Sequence, residues 1–370
     1  MKYIRMPIEK ESPEQYGYER IKFNLTESSV RDRSINDFGV NIENIVLCYG
    51  DHLGNPQLRN LIATEFPNLS AENVIVTAGA SSALFIIATS LLEKGDHIVV
   101  AKPNYATNIE TPKAIECNIS FIEQSFENKF RVDINQLETL IKPNTKYVSL
   151  TYPHNPTGVM LEENELSKII KIIESKGCYL LLDETYREMT FGSILPVAAS
   201  LSPNVVSVSS LSKTYGIPGI RVGWLSTQNQ ELLDLFLCAK EQMGICGSVI
   251  DESIGFEVLT QKDIWLPENN KNIQNAFNLV KNWMDKEDSM EWIEPKGGCV
   301  CFPRIKPEIQ IDLDEFYNCL NNTYGTFVGP GHWFEQSKRY FRIGYGWPKI
   351  DELEKGLLSI SQAIHETREK

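Results

Sequence analysis

Between about residue 70 and residue 250 the sequence alternates short apolar runs with amphipathic stretches, and this rhythm limits the fold more than any other feature. The runs occupy 74–77, 97–101, 146–151, 178–183, 205–209 and 221–225. Several are apolar at nearly every position, as strands covered on both faces require. Between two of them, residues 163–176 place Leu166, Ile169, Ile170 and Ile173 at helical spacing. Strands alternating with helices predict an α/β fold: a three-layer αβα large domain around a mostly parallel, mixed sheet. From about residue 260 the rhythm changes. A helix is expected near 270–285, then two short strands around Gly297-Gly298, and a closing helix over 349–366. This tail reads as a smaller α+β domain. The expected division is an irregular polar arm at 1–35 contributing to the small domain, a large domain at 36–255 and a small domain at 256–370.

A chain of 370 residues with 42% hydrophobic and 23% charged residues has room for both units. Its formal net charge of −13 disfavours phosphodiester backbones and anionic lipid, so neither nucleic acid nor membrane is an expected partner. The start, MKYIRMPIEKES, has no apolar run or cleavage pattern. Eight cysteines form no C-x-x-C pair, and Cys299 and Cys301 fall on opposite faces of an expected strand, so no metal site is predicted. Reduced thiols and the missing leader pattern point to a cytoplasmic protein.

In open α/β sheets ligands bind beyond the carboxyl ends of the strands. Those ends carry an unusual set of polar residues. The first run leads into Gly79-Ala80-Ser81 and a helix over 83–92; the second ends in Pro103-Asn104-Tyr105. The third ends in Asn155-Pro156-Thr157-Gly158, the fourth in Asp183-Glu184-Thr185-Tyr186, and the fifth in Ser210-Leu211-Ser212-Lys213. Arg221 follows Lys213 by eight positions. Four apolar residues before Asp183 put a carboxylate at the buried end of a strand, where it needs a partner. An ATPase reading of 180–184 fails because no G-x-x-x-x-G-K-[ST] is present, and a dinucleotide reading fails for want of G-x-G-x-x-G.

The order N-P-T-G, D-E-x-Y, S-x-S-K and a following arginine resembles the fold-type I, class I/II aminotransferases, which use pyridoxal 5′-phosphate. Tyr49-x₄-Gly54-x₃-Leu58-Arg59 and Tyr340-Phe341-Arg342 extend the resemblance over essentially the whole chain. It implies that Lys213 holds the cofactor as a Schiff base and shuttles a proton, and that Asp183 faces the pyridine nitrogen. It further implies Asn155 and Tyr186 at the phenolic oxygen and Tyr105 stacked on the ring. Ala80, Ser81, Ser210 and Arg221 would hold the phosphate at a helix N-terminus. Arg342, and Asn155 beside it, would receive the substrate α-carboxylate. Tyr49 would reach the phosphate of a neighbouring subunit, making a homodimer with shared sites. The implied activity is ping-pong transfer of an amino group between an L-amino acid and a 2-oxo acid.

The same frame serves lyases, decarboxylases and cyclising eliminases, and in rarer cases ligand sensors with a basic DNA-binding module, which this chain lacks. Two departures bear on specificity. Asn24-Leu25-Thr26-Glu27-Ser28 stands where many members have a glycine-containing loop, and Glu335 replaces the glycine usual after Gly331-His332-Trp333-Phe334. No second arginine for a dicarboxylate is identifiable.

Overall fold

A computed structural model describes residues 1–64 and 66–368. In chain order its strands are β1 (Phe23–Leu25), β2 (Val74–Ala78), β3 (His97–Lys102), β4 (Asn118–Glu123), β5 (Thr145–Thr151), β6 (Tyr179–Asp183), β7 (Val205–Ser210) and β8 (Val222–Ser226). Then follow β9 (Met290–Glu291), β10 (Val300–Cys301), β11 (Arg304–Ile305), β12 (Thr326–Pro330) and β13 (Phe341–Gly344). A seven-stranded sheet runs β2-β8-β7-β6-β5-β3-β4, and β8 alone is antiparallel to its neighbours. The fold is therefore the expected α/β arrangement around a mostly parallel, mixed sheet.

The antiparallel β8 has a consequence for the site. Because it runs against β7, its amino end lies beside the carboxyl end of β7, where Ser210 pairs with Gly223. Arg221, one residue before β8, thus reaches the same edge as Asp183 and Ser210 although it precedes its strand.

Both faces of the sheet are covered. Ile75, Val100, Tyr147, Leu181 and Val208 pack on the helix Ala80–Leu91, with Phe236 from a later helix. Val99, Val148, Leu150, Leu180 and Leu182 pack on Glu163–Lys176 through its four predicted apolar positions. Burying a Leu or Ile side chain stabilises by about 2 kcal/mol, and the alternation of β6 puts Leu180 and Leu182 on one face and Leu181 on the other. This is why the run reads as continuously apolar.

Residues 1–35 differ from the irregular arm expected. They hold two short helices, Pro7–Glu11 and Pro13–Tyr16, and β1, which pairs in parallel with β12. Proline at the first helical position removes an amide that would lack a partner, a start signal masked here by the polar composition. Two further elements differ. The edge strand β4 is an addition to the expected runs: it is only partly buried along most of its length, and Ser120 interrupts its apolar residues. The long helix spans Lys262–Met284 rather than starting near 270, because Pro267 falls within its first two turns.

Gly54, part of the Tyr49–Arg59 motif, has φ +109°, and a Cβ there would lie 2.5 Å from the Cβ of Val76. The buried Arg59 closes the same turn, donating from Nε to the Gly54 carbonyl (3.1 Å) and from Nη1 to that of Ala71 (2.8 Å). Gly54→Ala should therefore lower stability by about 2–4 kcal/mol through strain and overpacking. Chemical denaturation of the variant checks this, and an unchanged midpoint would contradict it.

Candidate active site

One cleft of about 300 Å³ opens at the carboxyl edge of the large sheet, within the range of small-molecule sites. Ala80, Ser81, Tyr105, Asn155, Asp183, Tyr186, Ser210, Lys213, Arg221 and Arg342 all line it. Tyr49 does not; it stands 83% exposed on the same chain. A larger cleft of about 510 Å³, lined by Leu61, Phe66, Glu184 and Trp224 among others, contains none of these residues.

Asp183 ends β6, paired with Thr151 on β5 and Val208 on β7. Thr185 donates its amide (3.1 Å) and its hydroxyl (2.6 Å) to Oδ1, leaving Oδ2 for a donor in the cleft. Burial pushes this carboxyl above its ordinary range, opposed by the Thr185 hydrogen bonds and by the charge of Lys213. Glu184 is no rival. It lies on the larger cleft, where it accepts the Ala198 amide at 3.2 and 3.3 Å, and burial pushes it up to about 7.

At the opposite end, the helix Ala80–Leu91 starts from Gly79 without a side-chain cap, so its first amides are free for an anion. Gly79 has φ +80°, and a Cβ there would lie 2.5 Å from Nη2 of Arg221. A Cβ at Gly223 would meet the Gly79–Ala80 backbone at 2.5–2.6 Å. The two glycines let β8 and the guanidinium close on the helix start. Nη1 of Arg221 is held by the Pro218 carbonyl (2.9 Å), and the Ser81 and Tyr105 hydroxyls lie 3.2 Å apart.

The third corner is Arg342 on β13, which is buried yet has no carboxylate within ion-pair distance among the described residues. Nη1 donates to Asn155 Oδ1 (2.9 Å), Nη2 donates to the Thr26 carbonyl (2.6 Å), and the guanidinium lies 5.1 Å from the Phe334 ring centre. Its Nε is buried without a partner. Desolvation pulls its pKa below the ordinary guanidinium range, with Tyr186 and Glu27 opposing. A buried cation with no carboxylate within ion-pair distance calls for an anionic ligand. Burial also raises the Tyr186 phenol.

Sequence reasoning missed several supports. Asn104 Oδ1 gathers the Tyr105 amide, the Thr151 hydroxyl and Nδ2 of Asn108 at 2.7–3.1 Å, fixing the loop that carries Tyr105. Asn24 Oδ1 accepts the amide and hydroxyl of Thr26, whose carbonyl holds Arg342. An Asn-x-Thr turn was visible there, but nothing in the sequence tied it to Arg342. The departure at 335 is structural: Glu335 adopts the left-handed φ of +54° that glycine favours and pairs with Lys102 and Lys113 at 3.3 Å.

The buried carboxylate with one free oxygen, the uncapped helix start beside an arginine, and the unpaired Arg342 suit a ligand with a basic ring nitrogen, a phosphate and an attached carboxylate. The comparisons agree. The model of the family "Aminotransferase class I and II" matches residues 28–358, and the chain belongs to that family. It is a pyridoxal phosphate-dependent aminotransferase, and its residues fit that cofactor. The aspartate aminotransferase of Pyrococcus horikoshii is 27% identical over 85% of this chain and 83% of its own length. The capreomycidine synthase of Streptomyces vinaceus is 26% identical, over 85% and 80% respectively. A pyridoxal phosphate-dependent aminotransferase from Streptococcus suis superposes with a TM-score of 0.92 at 25% identity, covering 100% of both chains.

His154 is the other missed residue. Fully enclosed, it lies 2.7 Å from the Thr157 hydroxyl at Nδ1 and 2.8 Å from the Pro103 carbonyl at Nε2, so the Nε2–H donates and Nδ1 accepts. It pins the loop after β5 to the loop after β3, and burial lowers its pKa to about 4. The unfolded chain takes up a proton near pH 6.5, where the native imidazole stays neutral. The stabilisation is therefore complete above pH 6.5 and falls by about 3 kcal/mol as pH drops towards 4. His154→Gln should flatten that part of the stability–pH curve, which thermal unfolding in buffers from pH 4 to 8 would reveal.

Proposed function

We propose that Lys213 is the amine that binds the cofactor covalently and then carries a proton between the substrate Cα and the cofactor C4′. Pyridoxal phosphate, when bound, supplies an aldehyde that condenses with amines and a ring that accepts the electron pair left when Cα loses its proton. The observation that carries this reading is the shared cleft of Lys213 and Asp183, with one oxygen of the buried carboxylate left open.

Local geometry supports each remaining role. Asp183 Oδ2, left without a protein donor among the described residues, would hold the ring nitrogen in its protonated form, since a buried carboxylate is stabilised by a charged donor. Asn155 has its carbonyl oxygen engaged by Arg342, so its Nδ2 is left to donate to the phenolic oxygen, beside the Tyr186 hydroxyl. The Arg342 fork receives the substrate α-carboxylate and orients Cα towards Lys213 Nζ, supported by the Asn155 oxygen at one end and the Thr26 carbonyl at the other. Tyr105, which lines the same cleft, would cover one face of the ring. The free amides at Ala80 and Ser81, the Ser210 hydroxyl and the Arg221 guanidinium hold the phosphate.

The active unit is a homodimer in which Tyr49 completes the neighbouring copy's phosphate site. Exposed Val46, Leu47 and Tyr49 (74–83%) support this, together with Met243 and Ile245. Such a run of apolar surface marks an interface. Its place in the cell is the cytoplasm, supported by cysteines that are all unpaired. Elimination or cyclisation on the same residues is the second reading, supported by the likeness to a capreomycidine synthase. Formation of pyridoxamine phosphate during turnover separates transamination from it.

Lys213→Ala should abolish covalent attachment of the cofactor while leaving the fold intact. Borohydride reduction followed by mass spectrometry of the tryptic peptide checks this. A reduced adduct still formed by the variant at another lysine would overturn the assignment.

A further inference from the structure

The wall of the cleft beyond Arg342 is formed by the amino-terminal helices and the Asn24–Ser28 segment, and its charges are one-sided. Glu14 and Glu27 both line the cleft with Pro13 and Trp333; Glu27 is half-buried and Glu14 is exposed at its mouth. Neither carboxylate has an ion-pair partner among the described residues. Oε1 of Glu27 accepts only neutral donors, the Tyr18 hydroxyl at 3.1 Å and Asn24 Nδ2 at 3.4 Å. The cleft continues into a second hollow of about 460 Å³ that shares Glu14, Glu27 and Lys213 and adds Asp32. Tyr18 lies among these acids, within electrostatic reach of Glu27, Glu14 and Asp32.

The cations nearby have other duties. Lys213, Arg221 and Arg342 serve the amine, the phosphate and the α-carboxylate. Arg33, which also lines the second hollow, is held by Asn269 (2.7 Å) and Glu268 (3.3 Å). A substrate seated with its α-carboxylate on the buried, carboxylate-free Arg342 therefore extends its side chain towards unpaired carboxylates. The mount is rigid: Gly344 of β13 packs so closely on Glu27 that any Cβ there would collide with the Glu27 carbonyl.

Resting on the aminotransferase reading, we propose that the amino donor is an amino acid whose side chain ends in a cation, a guanidinium or an ammonium, received by Glu27 and Glu14. The half-buried Glu27, with Glu14 at the exposed mouth, favours such a cation and repels a side-chain carboxylate, while a neutral side chain leaves Glu27 without a charged partner. This arrangement is the reverse of the second arginine that a dicarboxylate substrate would need.

The test is an equilibrium titration of the holoenzyme, followed through the absorbance of its bound cofactor, with arginine, lysine, citrulline, norleucine and glutamate. Citrulline and norleucine match the first two in shape without the charge. Arginine or lysine should half-saturate the spectral change at a concentration at least ten-fold lower than its neutral counterpart, and glutamate should be weaker still. Glu27→Gln should reduce that preference to about three-fold or less, and Glu14→Gln should reduce it in the same direction. Equal responses to charged and neutral counterparts, or a preference that survives both substitutions, would overturn this inference and leave the aminotransferase reading standing. A cofactor that stays attached yet responds to none of the five would overturn both.

Discussion

A carboxylate held at the dry end of a central strand, with one oxygen bound and the other open, is the constraint on which the rest of this structure depends. Asp183 can occupy that place only because Leu180, Leu181 and Leu182 bury β6 from both faces and because Thr185 stabilises Oδ1. The remaining oxygen has a single useful partner, a protonated donor presented by a ligand. Lys213, one loop beyond the neighbouring strand, shares the cleft and bears electrostatically on the same carboxylate. Burial thus does two jobs: it raises the energy of the unpartnered charge, and it excludes the water that would otherwise satisfy it.

The frame was legible wherever one residue had to satisfy two demands at once. The large-sheet strands buried on both faces show as continuous apolar runs, and the polar residues that end them had to be functional or paired. Elements with a single demand were harder to see. The edge strand β4 is partly exposed and carries Ser120 among its apolar residues, and the proline inside Lys262–Met284 hides a helix that tertiary contacts hold together. His154 was unreadable for a different reason. Its two partners, Thr157 and the Pro103 carbonyl, meet it only once β3 and β5 are paired in register, and no local pattern announces that. Tyr49 stands exposed on the single chain, so the structure of one copy gives it no partner to read.

The two departures from the family pattern divide cleanly in the folded chain. Glu335 lies outside the cleft, in a left-handed turn secured by two lysines, and so accounts for local structure alone. The segment at 24–28 builds the site: Thr26 anchors Arg342, and Glu27 and Ser28 line the cleft. Under the proposed reading, the residues that match the family motifs would hold the cofactor and the α-carboxylate. The segment at 24–28 would then form part of the wall that meets whatever the substrate carries beyond Cα.

The central claim concerns the proton between Asp183 and the ring nitrogen, and nitrogen NMR of the enzyme loaded with ¹⁵N-labelled cofactor observes it directly. The account predicts a pyridinium shift in the wild type at neutral pH and a move to the unprotonated pyridine position in Asp183→Asn. An unprotonated nitrogen in the wild type, or the same protonated signal in both proteins, would contradict it.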